Sequence, residues 1–166
     1  MKRTGGEREL LLGFIELNRR TVLWKLDGLT EEQARRRVVG SETTLLGIVN
    51  HLAHVERYWI QSVIAGRSIE FPWTDENPDA EWIMADHQTI DSVRDHFETE
   101  VAIGDAILAG EADLEREIIV GERTLSVRWI LIHLVEEIAR HAGHADIIRE
   151  IIDETTGYFP PPPIDT

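Results

Sequence analysis

Residues 126–155 read SVRWILIHLVEEIARHAGHADIIREIIDET, and their periodicity decides how the chain folds. At about 100° per residue, Ile130, Leu134, Ile148 and Ile152 share one stripe, which predicts a long amphipathic helix from Ser126 to Thr155. Glu137 and His141 fall inside that stripe rather than opposite it. A carboxylate among core-facing residues is costly unless it is paired or bound to a cation. Arg140, three residues on, points to the other side of His141 and is not expected to be the partner. An arginine from another helix, or a metal, would meet the need.

Upstream, three more stretches carry the same period. Glu9 to Asp27 sets Leu10, Phe14, Leu17, Thr21 and Trp24 on one face and ends at Gly28. Thr30-Glu-Glu-Gln33 has the form of a capping box and opens a short helix through Arg37. The next long helix runs from Thr43 to Ala65 with Ile48, Leu52, Val55 and Trp59 in its stripe. Between Gly66 and Ala85 no period persists. Pro72, Trp73, Pro78 and Trp82 read there as a structured loop or small lid. Asp86 to Ala109 is helical again, through Ile90, Val93, Phe97, Val101, Ile107 and Leu108. Leu114 to Thr124 reads either as a small hairpin turning at Gly121-Glu122 or as plain loop. Four long helices with short connections make an all-α four-helix bundle the expected fold. One domain is expected over residues 1–166, with its core at 9–155 and a proline-rich, extended tail at 156–166.

The bulk properties narrow the function. The chain has 166 residues, 42% of them hydrophobic, enough for a substantial core. Its 31 acidic side chains outnumber 17 basic ones, leaving a net charge of -14. Such a surface repels phosphate backbones and anionic membranes, and Arg35-Arg36-Arg37 is too short a run to reverse that. No nucleic-acid or membrane partner is therefore expected. The N-terminus has no apolar signal core, and a cytoplasmic protein is the expectation.

Cysteine is absent, which excludes thiolate ligands and a cysteine nucleophile from the chain. A transition metal would need nitrogen and oxygen donors. Glu137 and His141 supply them at i, i+4 spacing, and His51-Leu-Ala-His54 offers a second helical cluster. His51 lies closer than His54 to the centre of its helix stripe. The trio His51, Glu137 and His141 can thus form a metal site with an open position. The alternative is a buried hydrogen-bond network that fixes helix register. Such a set suits zinc, iron or nickel, and with zinc a bound water or thiol would become a nucleophile near neutral pH. A thiol would have to arrive as a cosubstrate. His144, just outside Glu137, is a candidate fourth ligand or general base. His87 and His96 read as surface or satisfied histidines. Trp59 reads first as core, although it and Tyr58 could wall a pocket; Trp73 and Trp82 read first as simple packing, although they could cap one. Arg128, Arg140 and Arg149 are expected in surface pairs. His-Glu-x2-His is missing, so peptidase chemistry has no direct support, and Glu56, Glu136 and Glu137 do not repeat a di-iron pattern.

Two segments, Gly47-Ile-Val-Asn-His-Leu-Ala-His-Val-Glu-Arg-Tyr-Trp59 and Glu137-Ile-Ala-Arg-His-Ala-Gly-His-Ala-Asp-Ile-Ile-Arg-Glu150, resemble the DinB-like superfamily. The likeness covers nearly the whole chain and points to its branch of mini-circle-like proteins. It implies a four-helix bundle with a divalent metal near one end, usually held by three histidines. His51 matches the first ligand and His141 the last. Glu137 stands where many relatives have histidine, a departure shared with the similar mycothiol-dependent maleylpyruvate isomerases, which use zinc. The resemblance implies a transferase or isomerase dependent on mycothiol, bacillithiol or a similar thiol, acting on a small electrophile, with His144 or His54 moving the proton. It also implies a homodimer. A hydrolase using metal-bound water and a non-enzymatic, stress-related metal-binding bundle are the alternative readings.

Overall fold

A computed structural model describes residues 3–157; the predicted proline-rich run at 160–163 lies outside them. The bundle is built from α1 (Glu7–Trp24), α3 (Leu45–Glu56) with a π-helical continuation (Arg57–Ile64), α4 (Ile90–Gly110) and α5 (Val127–Asp153). The short α2 (Glu31–Ala34) follows α1, and a hairpin of β1 (Glu117–Val120) and β2 (Arg123–Ser126) leads into α5. This is the helix arrangement of the DinB-like superfamily, with one short extra helix and the small hairpin. Among the described residues no helix is long and apolar enough to cross a membrane.

Local chemistry sets the element ends. The Thr30 hydroxyl accepts from the Gln33 amide while the Gln33 side chain accepts from the Thr30 amide, closing the capping box that starts α2. Thr44, Thr89 and Ser126 cap α3, α4 and α5 in the same sense, each accepting an amide hydrogen bond in the first turn. Val120 pairs with Arg123, so Gly121-Glu122 is a two-residue turn. Gly121 has φ 60°, which only glycine adopts cheaply at the first position of a type II′ turn.

The core follows the helices, with two differences from the sequence reading. On α1, Phe14 is 43% exposed, whereas Ile15, Asn18, Arg19 and Val22 are buried. The inward face is rotated because Arg19 goes inside with a partner. Its Nε and Nη2 donate to the two carboxylate oxygens of fully buried Glu56 at 2.7 Å each. A paired charge can be buried where a lone one cannot.

The second difference lies after Glu56, where the expected straight α-helix widens. The Ala65 amide donates to the Ile60 carbonyl, an i to i−5 bond. The extra residue in the turn sends Ile60 and Ile64 into the core and leaves Tyr58 and Trp59 half-buried. Before it, every residue from Leu45 to Asn50 is buried. Helix α3 is therefore the central helix, packed against both α4 and α5.

Candidate metal centre

Helices α3 and α5 bring His51, Glu137 and His141 together. Glu137 Oε1 lies 3.3 Å from His51 Nε2 and 3.2 Å from His141 Nε2. One ligand atom from each residue falls within 4.8 Å of the others. Hydrogen bonds from His141 and then His51 hold the Glu137 carboxyl well below the usual carboxylate range, against the opposing pull of burial. Arg140 also contributes: its Nη1 stands 3.1 Å from Glu137 Oε2. That corrects the sequence reading, because side chains at i and i+3 on a helix are neighbours despite their angular offset. Arg140 remains half exposed and is shared with Glu136, so it forms a rim pair rather than a buried one.

The loop between α3 and α4 completes the centre. A single 3-10 turn, Ala80–Trp82, carries Glu81 and Trp82 onto His51. Glu81 Oε1 lies 3.3 Å from His51 Nδ1, and the Trp82 indole stacks on the His51 ring at 4.2 Å between centroids. The Asn50 amide donates to the Glu81 carbonyl at 2.7 Å. Nothing in the sequence pattern marks Glu81. It sits outside any helical period, and only chain reversal through the loop brings it to His51.

The donor set fits a cation. His51 has a carboxylate oxygen against each ring nitrogen, yet a neutral imidazole has one N–H to give. A cation held at Nε2 would relieve this, with Nδ1–H donated to Glu81. The buried Nδ1 of His141 has no hydrogen-bond partner, so its Nε2 is the nitrogen engaged at the centre.

Of the two proton-transfer candidates, His54 lies on the same side as His51 and His144 does not. The wheel placed His54 farther from the stripe, but it is 9% exposed, because α3 is covered on more than one face. A cleft of about 240 Å³ is lined by His51, His54, Tyr58, Trp59, Trp73 and Glu81. Burial first, then the nearby charges of His96 and Arg57, push the His54 pKa down to about 4. Its Nδ1 has no partner. His144 is exposed and faces a separate groove with Val39, Ser41 and Ile147, its ring 5.3 Å from that of His141. Its pKa is lowered by burial and by the neighbouring His141 and Arg140 charges.

The remaining sequence candidates fall into place around this site. His87 is exposed, whereas half-buried His96 lies 3.4 Å from Glu100 and meets the His54 ring. Arg128 pairs with Glu7 and Glu115 as expected of a surface residue. Arg149 does not: it is 7% exposed and donates to the Lys25 and Asp27 carbonyls, tying α5 to the end of α1.

A protein-family model described as mycothiol-S-transferase matches residues 10–154. No curated protein matches the chain.

Proposed function

The chain belongs to the mycothiol-S-transferase family of the DinB-like superfamily, and from that premise we propose a metal-dependent transferase or isomerase that joins a low-molecular-weight thiol to a small electrophile. The observation that carries this reading is the meeting of two imidazole Nε2 atoms on one carboxylate oxygen beside an aromatic-walled cleft. His51, Glu137 and His141 would hold one divalent metal, zinc first, with nickel or iron as alternatives. Such an ion lowers the pKa of a bound thiol and so supplies thiolate near neutral pH.

The chain's own residues account for the rest. Having no cysteine, it needs the thiol as cosubstrate, mycothiol or bacillithiol in the family's chemistry. His54 lines the cleft beside His51 with an unpartnered ring nitrogen, which makes it the side chain placed to take up the thiol proton. In a group transfer the carbon–leaving-group bond breaks as the C–S bond forms, and the leaving group takes the proton from His54. In an addition the carbon's π bond breaks instead, and the atom that receives its electron pair takes that proton. His144 is the second candidate for that proton transfer, from the far side of His141. Tyr58, Trp59 and Trp73 orient a flat or apolar electrophile and thin the water around it. A homodimer in the cytoplasm completes the proposal; exposed Ile147 and Ile151 on α5 support the self-association.

The test is elemental analysis of tag-free protein purified without added metal. The expected result is near one zinc per chain, lost in His141→Ala, with light scattering giving two chains per particle. A parent protein that carries no metal and takes up no zinc tightly on titration would overturn the mechanism.

A further inference from the structure

We infer that Glu81 is a positioning residue for the metal centre: from the α3–α4 loop it fixes the tautomer and ring orientation of His51. The inference rests on the metal reading above and adds to it a residue outside the ligand trio.

Three observations carry it. Glu81 Oε1 faces His51 Nδ1 at 3.3 Å, on the side of the ring away from Glu137. If Nε2 is to present a lone pair to a cation, the ring's single proton must sit on Nδ1, and Glu81 is the acceptor placed to take that hydrogen bond. Second, the carboxylate has little else to do. Its side chain is 11% exposed, and among the described residues its one ion-pair partner is His51. The other oxygen, Oε2, is buried with no partner. Burying a carboxylate on so few contacts is costly, which sets this residue apart from the solvated acids of the same loop.

Third, the backbone is held so that the carboxylate cannot drift. Asn50, the residue before His51, donates its amide to the Glu81 carbonyl at 2.7 Å. Trp82, the residue after Glu81, lies nearly parallel to the His51 ring, with 19° between planes. Gly47 leaves room for this close approach. A Cβ there would stand 3.4 Å from the Trp82 carbonyl and 3.1 Å from the Thr44 hydroxyl that caps α3. The loop is thus clamped on α3 on both sides of the residue that meets the imidazole.

The test is zinc affinity of the full chain, by competition with a chromophoric chelator, for the parent, Glu81→Ala and Glu81→Gln, with Glu70→Ala as a loop control. Loss of such an outer partner typically weakens metal binding by about 10- to 100-fold. That fall is expected for Glu81→Ala, a smaller one for Glu81→Gln, whose amide oxygen still accepts, and none for Glu70→Ala. Nitrogen-15 NMR of labelled histidine in the zinc-loaded protein supplies a readout that general destabilisation would not reproduce. The His51 Nδ1 proton should resist exchange in the parent and exchange quickly in Glu81→Ala. Zinc bound by the parent and, within twofold, by both Glu81 variants would overturn the positioning role and leave the metal centre standing. A parent that binds no zinc overturns both, and so the two failures are told apart. Should Glu81→Ala lose its helical circular dichroism, the isosteric Glu81→Gln decides.

Discussion

His54 gives the fold a pH dependence that can be assigned to one side chain. Its pKa is about 4 in the folded protein against an ordinary 6.5. Between those values the unfolded chain binds a proton that the folded chain does not. Stability from this source is intact above pH 6.5, falls as pH drops through the window, and is fully lost below about 4. Urea denaturation at pH 7 and pH 5 should show a loss in the parent that shrinks in His54→Gln. An equal loss in both would remove His54 as its origin. The Glu137 contribution is separate: its carboxyl is depressed from 4.5, so it gives way only as the pH falls below that value. At this scale the trio His51, Glu137 and His141 was legible, because polar residues stood inside or near apolar stripes. Glu81 and the Arg140 contact were not, since neither periodicity nor wheel angle reports which loop residue folds back or how far an arginine reaches.

The element most misread from sequence is α1, and its cause is a charge pair. A wheel drawn from hydropathy turns Arg19 outward and Phe14 inward. In the fold, Arg19 is 4% exposed, held by Glu56 of α3 and by Asp105 of α4 at 2.8 Å. Arg19→Ala would leave Glu56 buried without its cation, at a cost of about 3–5 kcal/mol. Chemical denaturation should register that loss, and the double variant Arg19→Met/Glu56→Leu should recover most of it. A single variant within 1 kcal/mol of the parent would mean the pair is solvated in solution. The π-helical turn beginning at Arg57 was equally hidden. Its sequence continues a good α-helical pattern, and only the packing of Ile60 and Ile64 into the core shows the added residue. The hairpin, by contrast, was read at its turn, because Gly121-Glu122 carries its own conformational signature.

For the whole molecule, a metal at the centre would join α3 to α5 through His51 and Glu137, which are 86 residues apart in the chain. A ligand that binds only the folded state stabilises it by about 2.7 kcal/mol at a hundredfold excess over Kd. Zinc should therefore raise the melting temperature of metal-stripped protein by several degrees, about 2–4 °C per kcal/mol for a chain near this size. His141→Ala should show no rise. An equal rise in that variant would place the zinc elsewhere.

By itself the sequence determined the long helices, the capping box at Thr30, the hairpin turn, the acidic balance and the three polar residues that meet between α3 and α5. Those properties are local: hydrophobic period, capping chemistry and glycine conformation act within a few residues. Only the tertiary structure decided the rotation of α1, the widening after Glu56, the burial of His54 and the arrival of Glu81 and Trp82 at His51. Each of these depends on contacts between elements distant in the chain, where a paired charge can turn inward and a loop residue can meet a helix residue 30 positions before it.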